Sequence, residues 1–147
     1  MGTRSRIAIQ NADGTLESIY CHWDGYPSNN GVILQEHYQD EAKVRELIAL
    51  GDLSSLAPQT TPDGPHSFQD PQGGVCVAYK RDRGESEVGS RKSDSLSDLI
   101  ELTDGSWGEW LYIFSPEKLL WEVVDLHSSS KEPQPLTEVL DWWKVNS

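Results

Sequence analysis

The sequence predicts an α+β domain with a mainly antiparallel sheet and two or three helices. Three observations lead there. Two pairs of alternating apolar segments are each joined by a turn cluster, one pair near each end of the chain. Between them, a helical i, i+3, i+4 pattern carries matching start and stop residues. Strands also outnumber regular βαβ units, which argues against a doubly wound parallel sheet. At 147 residues, against about 150 per domain, residues 1–147 read as a single domain.

Residues 5–10 alternate, with Ile7 and Ile9 on one face, and predict a strand. Asn11, Ala12, Asp13 and Gly14 form a turn cluster. Residues 15–21 return as a second strand, with Ile19 and Cys21 on one face and Leu16, Ser18 and Tyr20 on the other. After a loop at 22–31, residues 32–38 read as a short helix. Asp40 is an N-cap for a longer helix over 41–50, whose Val44, Leu47 and Ile48 share one face, and Gly51 suits the position after its end. Glu41 and Arg45 form an i, i+4 pair adding about 0.2–0.5 kcal/mol.

Residues 58–74 hold four prolines and three glycines. A loop of that length inside a compact domain is usually functional or mobile. Residues 75–80 predict a lone strand with Val75, Val77 and Tyr79 on one face. The charged stretch 81–93 reads as loop, and 95–102 as a helical turn or two under Leu96, Leu99 and Ile100. Residues 109–114 and 119–126 predict a second hairpin around Pro116. A polar linker at 128–134 leads to a closing helix at 135–145, offering Val139, Leu140, Trp142 and Trp143 for packing.

Composition narrows the function classes. Twelve Lys and Arg face 24 Asp and Glu, a formal net charge of −12. Apolar residues are 36% of the chain and mean hydropathy is −0.57, with no run near the ~18–20 residues of a membrane span. No apolar stretch follows Arg4 and Arg6 to make a secretory signal. Arg6 also stands where a myristoylation motif beginning at Gly2 needs Ser or Thr. Two cysteines, Cys21 and Cys76, are too few for a disulfide framework or a zinc finger. The expectation is a soluble cytoplasmic domain with no cofactor and no metal. Residues 101–147 carry 3 basic and 9 acidic side chains, a field that repels nucleic acid and membrane surfaces. It suits a basic partner or a surface imitating DNA phosphates, although solubility alone produces such acidity.

The densest chemistry lies at 20–27, where Tyr20, Cys21, His22, Trp23, Asp24, Gly25, Tyr26 and Pro27 follow one another at a strand end. Trp23 or Tyr26 can stack on a base or sugar while His22 donates a hydrogen bond. The structural alternative is an Asx-type turn clamped by aromatic rings. Cys21 and His22 are adjacent on a strand and point to opposite faces, which disfavours a nucleophile–base pair. His22, Asp24, His37 and His66 match no metal-ligand spacing. Further along, Arg81 and Arg83 share one side if extended geometry persists past residue 80, and two guanidinium forks can clamp a phosphate or carboxylate. The alternative is a solvated loop of local ion pairs. Arg4 and Arg6 share a strand face by the same period, and if the N-terminal strand adjoins residues 75–80 the four arginines form one basic island that favours an anionic ligand. The remaining tryptophans, Trp107, Trp110, Trp121, Trp142 and Trp143, read as core rather than as a binding platform.

Residues 1–7, the block 19–27 (IYCHWDGYP), 31–38 (GVILQEHY) and 44–56 (VRELIALGDLSSL) resemble small phage and prophage proteins of unassigned function. Residues 78–85 (AYKRDRGE) fit the same setting. The resemblance covers 1–56 well and the rest in patches. It implies a viral accessory context in the host cytoplasm and supplies no catalytic residues.

Three readings follow. The first is a non-enzymatic binding protein that sequesters a small anionic or nucleotide-like host ligand in counter-defence, through His22, Trp23, Asp24, Tyr26, Arg81 and Arg83. The second is an acidic inhibitor of a host nucleic-acid-binding protein, using Glu101, Asp104, Glu109, Glu117, Glu122 and Asp125 as an exposed stripe. The third is a small hydrolase or transferase in which His22 and Asp24 converge with Asp82 or Glu85. A ligand-sequestering domain this small can complete its pocket as a homo-oligomer, though no coiled-coil heptad supports one.

Overall fold

The computed structural model describes residues 3–146, apart from the side chains of Trp143 and Asn146. Gly2, and the packing expected of Trp143, lie outside what is described. The fold is α+β, built on a mixed, mostly antiparallel sheet of eight strands. The strands are β1 (Ser5–Gln10), β2 (Leu16–Cys21), β3 (Leu53–Ser55), β4 (Val77–Ala78), β5 (Arg91–Ser93), β6 (Trp110–Ser115), β7 (Leu120–Asp125) and β8 (Gln134–Pro135). Their order is β4-β3-β2-β1-β6-β7-β8, and β5 pairs with β2 beside β3. The two hairpins lie side by side, because β1 pairs parallel with β6. The helices are α1 (Val32–His37), α2 (Glu41–Ala49), α3 (Tyr79–Arg83), α4 (Leu96–Gly105) and α5 (Leu136–Asn146), with a π-helical turn at Pro27–Gly31 leading into α1.

Period-2 alternation along the central strands separates two cores. Ile7, Ile9, Ile19, Cys21, Tyr112, Phe114, Trp121 and Val123 face one way and pack with side chains of α1, α2 and α5. Trp121 donates its indole N–H to the Tyr38 carbonyl at 2.7 Å and packs against Phe114, tying the second hairpin to the end of α1. Ala8, Leu16, Leu111, Ile113 and Val124 face the other way, under Leu99 of α4. This second layer is short. Beyond Ala8 the same face continues as Arg6 on β1 opposite Tyr20 on β2, beneath the last turn of α4.

Helix ends follow the sequence signals. Asp40 and Ser95 accept hydrogen bonds from Lys43 N and Asp98 N at the starts of α2 and α4. Gly51 adopts φ +79° after α2, against the Val88 carbonyl, where a side chain has no room.

The segment 75–83 departs from expectation. The alternation there predicts a strand to Lys80 followed by loop, yet β4 ends at Ala78 and α3 begins at Tyr79. The cause is Asp82, whose carboxylate reaches back to accept the Ala78 N–H at 2.8 Å and winds the chain into a helical turn. Arg81 and Arg83 are therefore helical neighbours about 200° apart and do not share a side. Strands β3 and β2 also separate β4 from β1, so Arg4 and Arg6 are not joined to them in one basic island. Among the tryptophans whose side chains are described, only Trp121 is fully buried; Trp107 is 77% exposed and Trp142 is also exposed.

Candidate functional site

The loop after β2 is held rigidly. Gly25 donates to the Thr3 carbonyl at 2.8 Å, and its own carbonyl accepts the buried Tyr112 hydroxyl at 2.6 Å. Asp24 sits at φ 55° with its carbonyl accepting from Asn29, so the aromatic block is turned and clamped from both sides. A Cβ on Gly25 would stand 2.5 Å from Ser5 Cβ. Gly25→Ala is therefore expected to lower stability by about 2 kcal/mol, measurable as a reduced urea midpoint. An unchanged midpoint would mean that the loop is free to move away.

His22 and Trp23 do come together, edge to face at 4.7 Å, and Trp23 is 43% exposed. Asp24 is exposed and Tyr26 half-buried on the same loop. Arg81 is committed elsewhere. Its guanidinium donates to the carbonyls of Thr60 and Cys76 and to Asp82. Arg83 lies 4.9 Å over the Phe68 ring and pairs with Glu85. Asp82 is buried, 3.1 Å from His66 Nε2, while His66 Nδ1 accepts from Gln72 N–H. Burial alone would raise the Asp82 carboxyl, but hydrogen bonds from Arg81 and the Ala78 N–H, with His66 close by, hold it down at about 2. The proline-rich loop is thus tied to α3 by the buried His66 and Asp82 side chains and the partly exposed Arg81.

Both cysteines are buried. Burial pushes the Cys21 thiol up to about 12, against a hydrogen bond from Asn30, and also raises Cys76. Neither is an activated nucleophile. Native protein at pH 8 is expected to resist an aromatic disulfide reagent until denaturant is added. Rapid labelling of one thiol in the folded state would contradict this burial.

The arrangement with most chemical potential lies on the sheet face below α4. A cleft of about 510 Å³ is lined by Arg6, Tyr20, Asp52, Arg91, Glu101, Leu102, Gly105 and Ser106. Arg6 is 2% exposed. Its Nε donates to Ser18 Oγ at 2.7 Å, and its Nη2 is buried with no hydrogen-bond partner among the described residues. Desolvation lowers the guanidinium to about 10, offset by Asp52 and reinforced by Arg91, so it remains charged at neutral pH. Asp52 accepts the Tyr20 N–H at 2.9 Å; burial raises its carboxyl, while that bond, Arg6 and Arg91 oppose the shift. The Tyr20 hydroxyl meets His22 Nδ1 at 2.8 Å. Burial, with the nearby positive Arg4, keeps the His22 imidazole below its usual range, toward the neutral form.

His22 therefore joins this cleft through Tyr20, with Trp23 against its ring. Arg4 approaches the same pair, and Arg91 reaches the face because β5 sets it opposite Ser18. Sequence reasoning missed Asp52, Arg91 and the centrality of Arg6. The available signal was a charged residue at an inward position of a strand whose neighbours, Ile7 and Ala8, are both buried.

Glu109 and Asp125 flank His127 at one end of the second hairpin, at 3.0 and 2.9 Å, with Asp104 lining the same depression. Glu117 sits in the turn at the hairpin's other end. Among the described residues, no group of three His, Cys, Asp or Glu is placed to hold a metal ion, and no helix is long and apolar enough to cross a membrane. In comparison with known proteins, the chain matches no family model, and no curated protein or solved structure is significantly similar to it.

Proposed function

We propose that this chain is a non-enzymatic binding protein for a small phosphate-bearing anion, held in the cleft between Arg6, Arg91 and Tyr20. The observation that carries the reading is the buried Arg6 guanidinium with an unpartnered Nη2. An orphaned buried donor costs about 1–3 kcal/mol, and more when charged. An anion entering the cleft would supply the missing acceptor. Arg91 adds a second cation from the exposed rim, and guanidinium forks match phosphate oxygens. His22, Trp23 and Arg4 are the rim nearest Tyr20, whereas Asp24, Tyr26, Arg81 and Arg83 serve as supports.

The resemblance to phage and prophage proteins favours an accessory, host-directed role, with sequestration of a host signal in counter-defence as its finer form. The acidic-inhibitor reading is less favoured, because Glu109 and Asp125 are taken up by His127 and Glu101 stands apart on α4 in the arginine-lined cleft. The enzymatic reading lacks convergence. His22 is bonded to Tyr20, while Asp82 is buried on His66 and Arg81.

The test is calorimetric titration with inorganic phosphate at low salt. We expect saturable one-to-one binding that weakens as salt rises, and at least a tenfold loss in Arg91→Gln. Loss in Arg83→Gln with Arg91→Gln unaffected would return the site to the α3 loop and overturn the assignment.

A further inference from the structure

Resting on the cleft reading above, we infer that the ligand is a nucleotide whose base carries an exocyclic amine. The two walls of the cleft have opposite polarity. The sheet wall contributes Arg6 and Arg91 with the Tyr20 ring between strand neighbours. The opposing wall is the last turn of α4, with Glu101, Leu102, Gly105 and Ser106. That turn is the negative end of the helix dipole. Its Leu102 and Thr103 carbonyls are already occupied by the Ser106 hydroxyl and backbone N–H. Glu101 is thus the side-chain acceptor that this wall offers to a ligand.

A bare phosphate satisfies the arginine wall and faces the Glu101 carboxylate unfavourably. A ligand with an anion at one end and hydrogen-bond donors at the other satisfies both. Tyr20, whose hydroxyl meets His22 Nδ1 at 2.8 Å, and Leu102 both line the cleft, giving it an aromatic and an apolar side chain. Stacking on tyrosine favours a nucleobase without choosing among bases, so the choice falls to Glu101. A carboxylate accepts from an amine and repels a carbonyl oxygen at the same ring position.

The experiment compares AMP, IMP and inorganic phosphate by calorimetry on the full chain, because AMP and IMP differ in an amine against a carbonyl at one ring position. The comparison is repeated with Glu101→Gln, whose melting transition is checked first. Wild type should bind AMP at least tenfold more tightly than IMP, and Glu101→Gln should bring the two within about twofold. Should a destabilised Glu101→Gln obscure the result, CMP against UMP on the wild type reads the same preference without a mutation. Phosphate binding with AMP equal to IMP and CMP equal to UMP would overturn the nucleotide inference and leave the anion site standing. No binding of phosphate or of any nucleotide would remove both.

Discussion

Replacing Arg6 by methionine, together with Ser18→Ala so that no hydroxyl is orphaned, should abolish phosphate binding without unfolding the domain. The two effects have different origins. Arg6 is buried, and among the described residues only Ser18 is its side-chain hydrogen-bond partner, so the folded protein carries much of the desolvation cost of its charge. An apolar chain of similar length relieves that cost. Stability should stay constant or rise by up to about 2 kcal/mol, as when other buried ionic groups are replaced by apolar ones. Binding should weaken at least a hundredfold, because truncating one member of a desolvated charge contact costs roughly 2–5 kcal/mol. Urea unfolding and phosphate titration on the same preparation read the two quantities. A variant that loses stability and affinity together would make Arg6 a structural residue.

Asp82→Asn should produce the opposite profile: a large loss of stability with the cleft's ligand chemistry intact. The Asp82 carboxylate accepts from the Ala78 N–H and Arg81, and lies against His66, so it holds the start of α3 and the 58–74 loop together. Removing its charge leaves His66 and Arg81 without their anion, at a cost of about 3 kcal/mol given Arg81's partial exposure. The same cluster sets an acid limit. The Asp82 carboxyl is held at about 2, below its ordinary value of 3.8. It therefore stabilises the fold fully above pH 4, and that contribution disappears as pH falls toward 2. The difference corresponds to about 2 kcal/mol. Wild-type urea midpoints should fall between pH 4 and 2 more steeply than those of Asp82→Asn. Parallel curves would show that Asp82 does not carry the acid sensitivity.

These contrasting roles explain what the sequence could and could not reveal. Strands β1, β2, β6 and β7 were legible because six-residue alternation is visible without tertiary context, as were the Asp40 cap and the Gly51 stop of α2. Strands β3, β5 and β8 have three, three and two residues, too short for any periodicity. They form because β2 and β7 offer them an edge. Strand β4 looked longer than it is, since nothing in local alternation announces that Asp82 will bond back to Ala78. The cleft was harder still. Its residues come from β1, β2, the turn before β3, β5 and α4, so no motif spans them. His22 and Trp23 stand in the continuous run 20–27, which the chain displays without tertiary context. Arg91 could be placed only after β5 was seen to pair with β2.

The proposed contact between Arg6 Nη2 and an anion can be observed at that atom's own group. Side-chain guanidinium resonances of ¹⁵N-arginine-labelled protein would be followed while inorganic phosphate is added at constant ionic strength. The Arg6 and Arg91 signals should shift together along one saturable curve, with those of Arg81 and Arg83 unmoved. Silence at Arg6 while Arg81 or Arg83 responds would contradict the account.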